Sequence, residues 1–505
     1  MKVSSRPGKA LILALFSVAL ADCGNKAGVH PKQVEASALQ SEVRDPQTRA
    51  FYAARQWKAA WDKKSERVLI AIIKQAPANG LKPDLFLKEP LPRDANAREG
   101  ALTSAALRYA SALARGYTDP AKINSIYTIP RPDPKVTDGL ASALQDGDLE
   151  QWFVSLPPQT DEYRALSQAH LQFLRVAGEA KSSPIPDGKA IKPGRRDPRN
   201  PAIAAALSAN GYLATPATNA SGPTYYTRSM VAAVRRLQAA YGLRPDGVIG
   251  PATLDALNSG AAGRARQLAI AMERLRWLER NPPATRIDVN TAATVLDYWR
   301  SGRPVDRRAV VTGEPDKQTP QIQSSFSQIV ANPKWRVPDS IAEKELATKG
   351  SGWLAANNFA MEDGRYVQQS GPKNSLGLVK FDMQDKQQIY LHDTPAKALF
   401  GLPERHRSHG CVRVQNALQF AAMLADQDGL LSLLEKALAS GKESTVKLGT
   451  EIPVRLFYHT AFWDGSRIQF RPDVYGWDDD VAMALGLVRG GPHKTSKSEA
   501  EDIGP

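Results

Sequence analysis

Between residues 45 and 180 the apolar positions recur every three or four residues, the interval of a helix that buries one face. VLIAIIKQA (68–76) carries such a stripe, and ALTSAALRYASALARG (101–116) is an alanine-rich helix stopped by Gly116. DEYRALSQAHLQFLRVA (161–177) sets Tyr163, Leu166, His170 and Leu174 on or near one stripe, so His170 reads as a helix-face residue. Proline, glycine and charge in KSSPIPDGKAIKPGRRDPRNP then end the pattern and mark 181–200 as a linker. In the short block 201–260, AAALSANGYL closes on Asn210-Gly211, and Met230, Val234, Leu237 and Tyr241 form the stripe of a second helix. Gly242 stops that helix, Asp246-Gly247 turns, and Pro251 opens a last short one.

A connecting helix, RQLAIAMERLRWL, places Leu268, Met272 and Leu275 on one face, and after it the period changes to two. TRIDVN, RAVVTG, FSQIVAN, LGLVKFDM and QIYLHD are short β-branched or alternating runs bounded by turn residues, so 265–485 is expected to be strand-rich. Residues 339–376 interrupt those runs with short helical and glycine-rich pieces, an insertion that reads as a lid or as a passive surface excursion. The expected fold class is multidomain α+β: a helical block at 45–180, a small all-α module at 201–260 and a β-rich block with an insertion. Residues 22–44 read as a flexible tether and 486–505 as a disordered tail.

Composition adds compartment and charge. The 505 residues are 42% hydrophobic and 23% charged, an ordinary globular balance, with a net charge of +14 that favours an anionic partner. The positive residues are scattered and not interleaved with aromatics, which argues against nucleic acid and for an anionic polymer outside the cytoplasm. Lys2, Arg6 and Lys9 followed by ALILALFSVALA have the form of a signal peptide, 1–21. Ala19-Leu20-Ala21 suits a signal peptidase, whereas LADCG is similar to a lipobox that would put a lipid on Cys23, with Asp22 fitting it poorly. A periplasmic protein is expected, touching the membrane only through that lipid.

Export makes the second cysteine, Cys411, conspicuous, because exported proteins pair their cysteines or avoid them. It can be a small buried hydrophobe, a metal ligand or a nucleophile. His406, His409 and His392 supply ligand types, but H-x-x-H-x-C matches no common zinc spacing. Amide chemistry at a thiol, which titrates near ~8.5 when free, needs a base and oxyanion donors. His392 at the end of a strand can meet Cys411 across a loop, the amides of Gly410 and Cys411 are candidate oxyanion donors with Gly410 allowing close approach, and Tyr390 shares a strand face with His392.

Several of these stretches resemble known families. GYL, AVRRLQ and YGLRPDGVIGPAT look like a peptidoglycan-binding module, and YLHDTPAKALFGLPERHRSHGCVRV resembles the active-site signature of the L,D-transpeptidases. VVTGEPDKQTP, NPKWRVPDSIA and FYAARQWKAAW are similar to the large periplasmic type, which has a helical scaffold domain, the wall-binding module and a capping insertion. The resemblance implies Cys411 as nucleophile, His392 as general base and acid, and Asp393 as the residue whose backbone carbonyl orients the imidazole. It also implies supporting roles for Ser408 and His409, an Asn-or-Arg position at Arg413, and a pocket edge at Asn332 and Trp335; Trp335 reads equally as a core residue. No cofactor or metal is implied. The implied partners are peptidoglycan stem peptides, joined 3-3 between diaminopimelate residues through a thioester, with carbapenems as acylating inhibitors. Carboxypeptidase action, anchoring of a protein to the wall, and a non-catalytic wall-binding role are the alternatives.

Overall fold

The computed structural model describes residues 34–179, 184–214 and 224–488, so the expected signal peptide, Cys23 and most of the tail lie outside the described residues. The scaffold is built around the helix Ala95–Arg115, whose first turn is capped by the Asp94 carboxylate accepting from Asn96 and Ala97, both at 3.0 Å. Small side chains let neighbours close on it: Ala105, Ala106 and Ala110 are all buried. Part of the expected tether belongs here. Ala36–Glu42 is a helix, and Leu39 and Val43 are buried in the scaffold core, because this segment has apolar residues to insert.

The helix Gly260–Trp277 joins the units. Gly116, at φ +86°, lies against it so closely that a Cβ there would stand 2.5 Å from the Trp277 ring. Its Glu273 accepts from the Thr118 amide and hydroxyl, both at 2.7 Å, while Arg276 bonds Glu273 at 2.6 Å, Tyr163 at 2.6 Å and the Asn79 carbonyl at 2.7 Å. Burial opposes the charge on Glu273, yet Arg276 and the Thr118 donors hold its carboxyl below the usual range. The opposite side of the helix reaches the C-terminal segment, where Arg274 pairs with buried Asp478.

Two expected boundaries shift. The helix Asp161–Glu179 packs on Gly260–Trp277 through the His170 Nδ1 bond to the Ala265 carbonyl, 2.7 Å, and its Tyr163 and Leu166 enter the core of the small module. Residues 184–200 are part of that module: Ile185 and Ile191 are buried in it, and Ile191 bridges Ile249. Prolines and charges there mark irregular backbone, which still found apolar partners. Among its described residues the module has three helices, Asn200–Ala209, Arg228–Ala240 and Pro251–Asn258. It docks on the β-rich half by stacking Tyr241 on Phe470 at 5.4 Å, with Arg264 donating to the Tyr241 hydroxyl at 2.8 Å.

The β-rich half has strands β1 Arg286–Asn290, β2 Val295–Arg300, β3 Arg303–Gly313, β4 Ile322–Ala331, β5 Trp335–Arg336, β6 Phe359–Glu362 and β7 Arg365–Gln368. They are followed by β8 Val379–Phe381, β9 Leu391–His392, β10 His406–Ser408, β11 Val412–Val414, β12 Ser444–Phe457, β13 Ala461–Trp463 and β14 Ile468–Phe470. The main sheet runs β10-β3-β11-β9-β8-β4-β12-β1-β2, and β3 also pairs with β2, closing it on itself. Ala417, Phe420, Ala421 and Leu424 of the helix Ala417–Gln427 fill its core beside Ile287, Leu296 and Phe381. The insertion begins four residues earlier than expected: β5, at Trp335, pairs with β7, and β7 with β6. It has its own core of Trp335, Val337, Leu346 and Phe359, the segment for which a lid and a passive excursion are the two readings.

Removing one partner of the Glu273–Arg276 pair strands a charge at the junction of scaffold, linking helix and Tyr163. Glu273→Ala is expected to lower unfolding free energy by about 3–5 kcal/mol, measured by urea denaturation; a loss under about 1 kcal/mol would show the pair to be dispensable.

Candidate active site

Two strands place the reactive side chains. β9 and β11 are parallel, with Leu391 opposite Val412 and His392 opposite Arg413, and the Val412 amide donates to the Tyr390 carbonyl at 3.1 Å. Side chains alternate along a strand, so Leu391, Val412 and Val414 enter the apolar core while His392 and Arg413 take the other face; Cys411, just before β11, sits at the edge of that core with Tyr390 packed against it. The Tyr390 and His392 rings meet edge to face at 5.7 Å.

His392 is wholly buried. Its Nδ1 hydrogen-bonds the Asp393 carbonyl at 2.5 Å, and its Nε2 has no hydrogen-bond partner. A proton on Nδ1 leaves the Nε2 lone pair open to the active-site face. Burial, reinforced by the charges of Arg413 and Lys380, lowers the imidazole to about 3, so it rests neutral. The Asp393 side chain has work of its own: it accepts from the Leu378 amide at 3.0 Å and pairs with Lys397.

Cys411 is buried too, and burial raises its thiol to about 11 despite the opposing influence of Tyr390. The Sγ atom lies 3.8 Å from the Gln388 carbonyl. Burial and the neighbouring thiol together keep the Tyr390 hydroxyl protonated far above its ordinary range, leaving it a donor. Thiol and imidazole therefore both rest neutral.

Ser408 shapes the turn between β10 and β11. Its hydroxyl donates to the Cys411 carbonyl at 2.6 Å and accepts from the Gly410 amide at 3.2 Å. The Gly410 amide is thus spent, and among the described residues the Cys411 amide has no protein partner. Glycine at 410 answers to φ +116°, since a Cβ there would meet nothing nearer than 3.7 Å. The Gly410 carbonyl accepts from Thr319 at 2.8 Å, and the Tyr475 hydroxyl accepts from the Thr319 amide at 3.3 Å while donating to Gly313 at 2.6 Å.

His406 is a brace: Nδ1 bonds Glu404 at 2.8 Å, Nε2 bonds the Thr291 carbonyl at 2.9 Å, and its ring meets Tyr475 edge to face. His409 points the other way, its Nε2 bonding Glu345 of the lid and Lys317. Lys317 also pairs with Glu345 at 3.0 Å and Glu314 at 3.1 Å. Among the described residues no three His, Cys, Asp or Glu side chains gather as a metal site.

The expected pocket edge separates into two different roles. Asn332 turns away, at φ +50°, and its amide donates to the carbonyls of Ala437 and Leu438 at 3.0 Å each, capping the end of the helix Leu431–Ala439. Trp335 is buried in the lid core, where Tyr390 packs against the same cluster. Glu345 and Tyr475 carried no motif, and Lys317 and Thr319 lay in VVTGEPDKQTP with no role assigned: each acts by folding back from far along the chain.

Residues 284–454 match the L,D-transpeptidase catalytic domain, 46–169 a scaffold domain, and 201–257 a family described as "Putative peptidoglycan binding domain". A Haemophilus influenzae protein named "Putative L,D-transpeptidase" is 30% identical over 222 residues, 39% of this chain and 45% of that protein. The chain thus spans less than half of that relative's length. Among solved structures, the L,D-transpeptidase of Xylanimonas cellulosilytica is similar at 16% identity, covering 54% of this chain and 99% of the other, with a TM-score of 0.18. An L,D-transpeptidase from Mycobacterium smegmatis is similar at 13% identity, covering 34% and 58%, with a TM-score of 0.19.

A thiol held near 11 gives a distinctive pH profile. Alkylation of Cys411 by iodoacetamide, followed by peptide mass, is expected to accelerate about tenfold per pH unit from roughly pH 7 to 10; a plateau near neutrality would reveal a preformed thiolate. At the lid, burial works against the Glu345 charge, but His409 and Lys317 hold its carboxyl below the usual range. A depressed carboxylate stabilises above its unfolded value and loses that contribution as pH falls through the folded one. Melting curves should therefore separate Glu345→Gln from the parent at neutral pH and converge in acid.

Proposed function

We propose that this chain, which carries the catalytic domain of the L,D-transpeptidase family together with its scaffold and wall-binding domains, is an exported enzyme that cross-links peptidoglycan. The observation that carries the reading is the β9–β11 pairing, which sets His392 opposite Arg413, two residues beyond Cys411, with Tyr390 against both the imidazole and the thiol and the His392 tautomer set by Asp393. The donor is a tetrapeptide stem, and the bond attacked follows the L-centre of its diaminopimelate.

In the first step His392 Nε2 takes the thiol proton as Cys411 Sγ bonds to the carbonyl carbon. The resulting oxyanion faces the Cys411 amide and the Tyr390 hydroxyl. The carbon–nitrogen bond then breaks, the His392 proton passes to the departing D-Ala amine, and a thioester remains. An amine of a second stem's diaminopimelate attacks the thioester, gives its proton to His392 and forms the 3-3 link; the proton returns to sulphur. Neutral resting partners suit this order, because no charged pair has to be taken apart before substrate arrives. Thr319, Tyr475 and Ser408 hold the turn that aims the sulphur. Periplasmic residence belongs to the same reading and rests on the N-terminal sequence, in which cleavage after Ala21 and lipid attachment at Cys23 are alternatives.

Purified protein incubated with tetrapeptide muropeptides should yield 3-3 dimers by mass spectrometry, and Cys411→Ala and His392→Ala should each lose at least about 10³-fold in rate. Tripeptide products without dimers would mark a carboxypeptidase. A carbapenem adduct that persists on Cys411→Ala would refute the nucleophile.

A further inference from the structure

Ser408 and Thr319 hold the turn that carries Cys411 from within the β-rich half, through bonds to the Cys411 carbonyl at 2.6 Å and the Gly410 carbonyl at 2.8 Å. A further hold falls between them in sequence, on the His409 ring. That side chain is only 8% exposed, and its Nδ1 is buried with no hydrogen-bond partner among the described residues. Its Nε2 bonds Glu345 and lies beside Lys317. Orientation of the ring therefore depends on a carboxylate that the insertion delivers.

The backbone on both sides is shaped for this contact. Ala342–Leu346 is a single π turn, closed by the Ala347 amide donating to the Ala342 carbonyl at 2.9 Å. Residues five apart share a face of such a turn, and Ile341 and Leu346 both enter the core of the insertion. Glu345, one residue short of that face, leaves the core and meets His409. In an ordinary α-helical turn, with successive residues about 100° apart, Ile341 and Leu346 would part and Glu345 would swing away. Single π turns are uncommon and gather at functional sites. The facing loop is folded as tightly: a Cβ on Gly313 would stand 2.1 Å from the Lys317 carbonyl, and the Gly313 amide donates to the Thr319 hydroxyl at 2.8 Å. Lys317, on that loop, pairs with Glu345 at 3.0 Å and with Glu314 at 3.1 Å, so ammonium and imidazole share one carboxylate.

We propose that Glu345 is a positioning residue: it fixes the His409 ring and, through that ring, the turn from which the Cys411 sulphur approaches substrate. The role rests on the reading of Cys411 as nucleophile and adds a dependence to it, since the aim of the sulphur then requires a residue of the insertion. An ionised carboxylate only accepts, so Glu345 selects the tautomer with the proton on Nε2 and leaves Nδ1, which has nothing to donate to, without one. With the carboxylate removed, no other hydrogen bond among the described residues orients the imidazole. A nucleophile displaced by a fraction of an ångström loses rate and keeps substrate affinity.

The test is a double-mutant cycle on the full chain, with a soluble tetrapeptide stem as substrate and release of D-Ala followed by mass. Glu345→Ala is expected to lower kcat about tenfold while KM changes less than about twofold. In a His409→Ala background the same substitution is expected to cost less than about twofold, because no ring is left to hold. A merely structural clasp between insertion and sheet, acting through Lys317, would cost the same in both backgrounds. In an active parent, no loss on Glu345→Ala, an equal loss in both backgrounds, or a rise in KM alone would overturn the positioning role. Melting temperature reports whether each variant is folded, and Glu345→Gln with His409→Gln runs the same cycle where an alanine variant is not. A parent that releases no D-Ala and takes no carbapenem adduct at Cys411 would overturn the catalytic reading, and the positioning role with it.

Discussion

The parallel pairing of two very short strands governs the chemistry. Leu391–His392 lies beside Val412–Val414 with His392 opposite Arg413, and a slip of one residue would turn His392 or Arg413 into the core and bring Leu391 or Val412 out. Strands of two and three residues cannot hold a register by themselves. It is enforced from outside: the closed sheet leaves each only one place to pair, Ser408 staples the turn before Cys411, and Asp393 ties the segment after His392 to Leu378.

How much of this was legible in the sequence depends on the range of the interaction. The helical and strand-rich blocks follow from periodicity, because the face that must be buried repeats locally. The S-H-G-C run and the upstream His392 could be read because thiol chemistry needs both residue types and supplies few alternatives in a chain whose N-terminus reads as an export signal. Hydrogen-bond partners were less accessible. The Gly410 amide was an open candidate until the Ser408 hydroxyl took it, and Asn332 was assigned to the pocket although its amide caps a helix more than a hundred residues later. Proline-rich 184–200 and polar 34–44 were read as connections, since a few apolar side chains such as Ile191 and Leu39 show no period yet suffice to anchor a segment.

The lid is attached to the catalytic half on both flanks. On the Cys411 side Glu345 reaches His409 and Lys317; on the other, Lys349 and Trp353 wall a cavity floored by Arg413. Its first strand begins at Trp335, whose cluster also packs Tyr390, so lid core and active-site face are continuous. An excursion that shares its core with the site cannot shift without moving the walls of that site.

The small module shares a core with its neighbours: Ile191 and Tyr241 belong to the same cluster as Tyr163, Leu268 and Phe470. A domain on a flexible string searches a volume, and its local availability falls as the string lengthens. One fixed in a common core searches only by rotation of the whole body. If the module grips a glycan strand, every stem the enzyme meets lies at a set reach from that grip, and spacing along the polymer becomes a determinant of which peptides are joined.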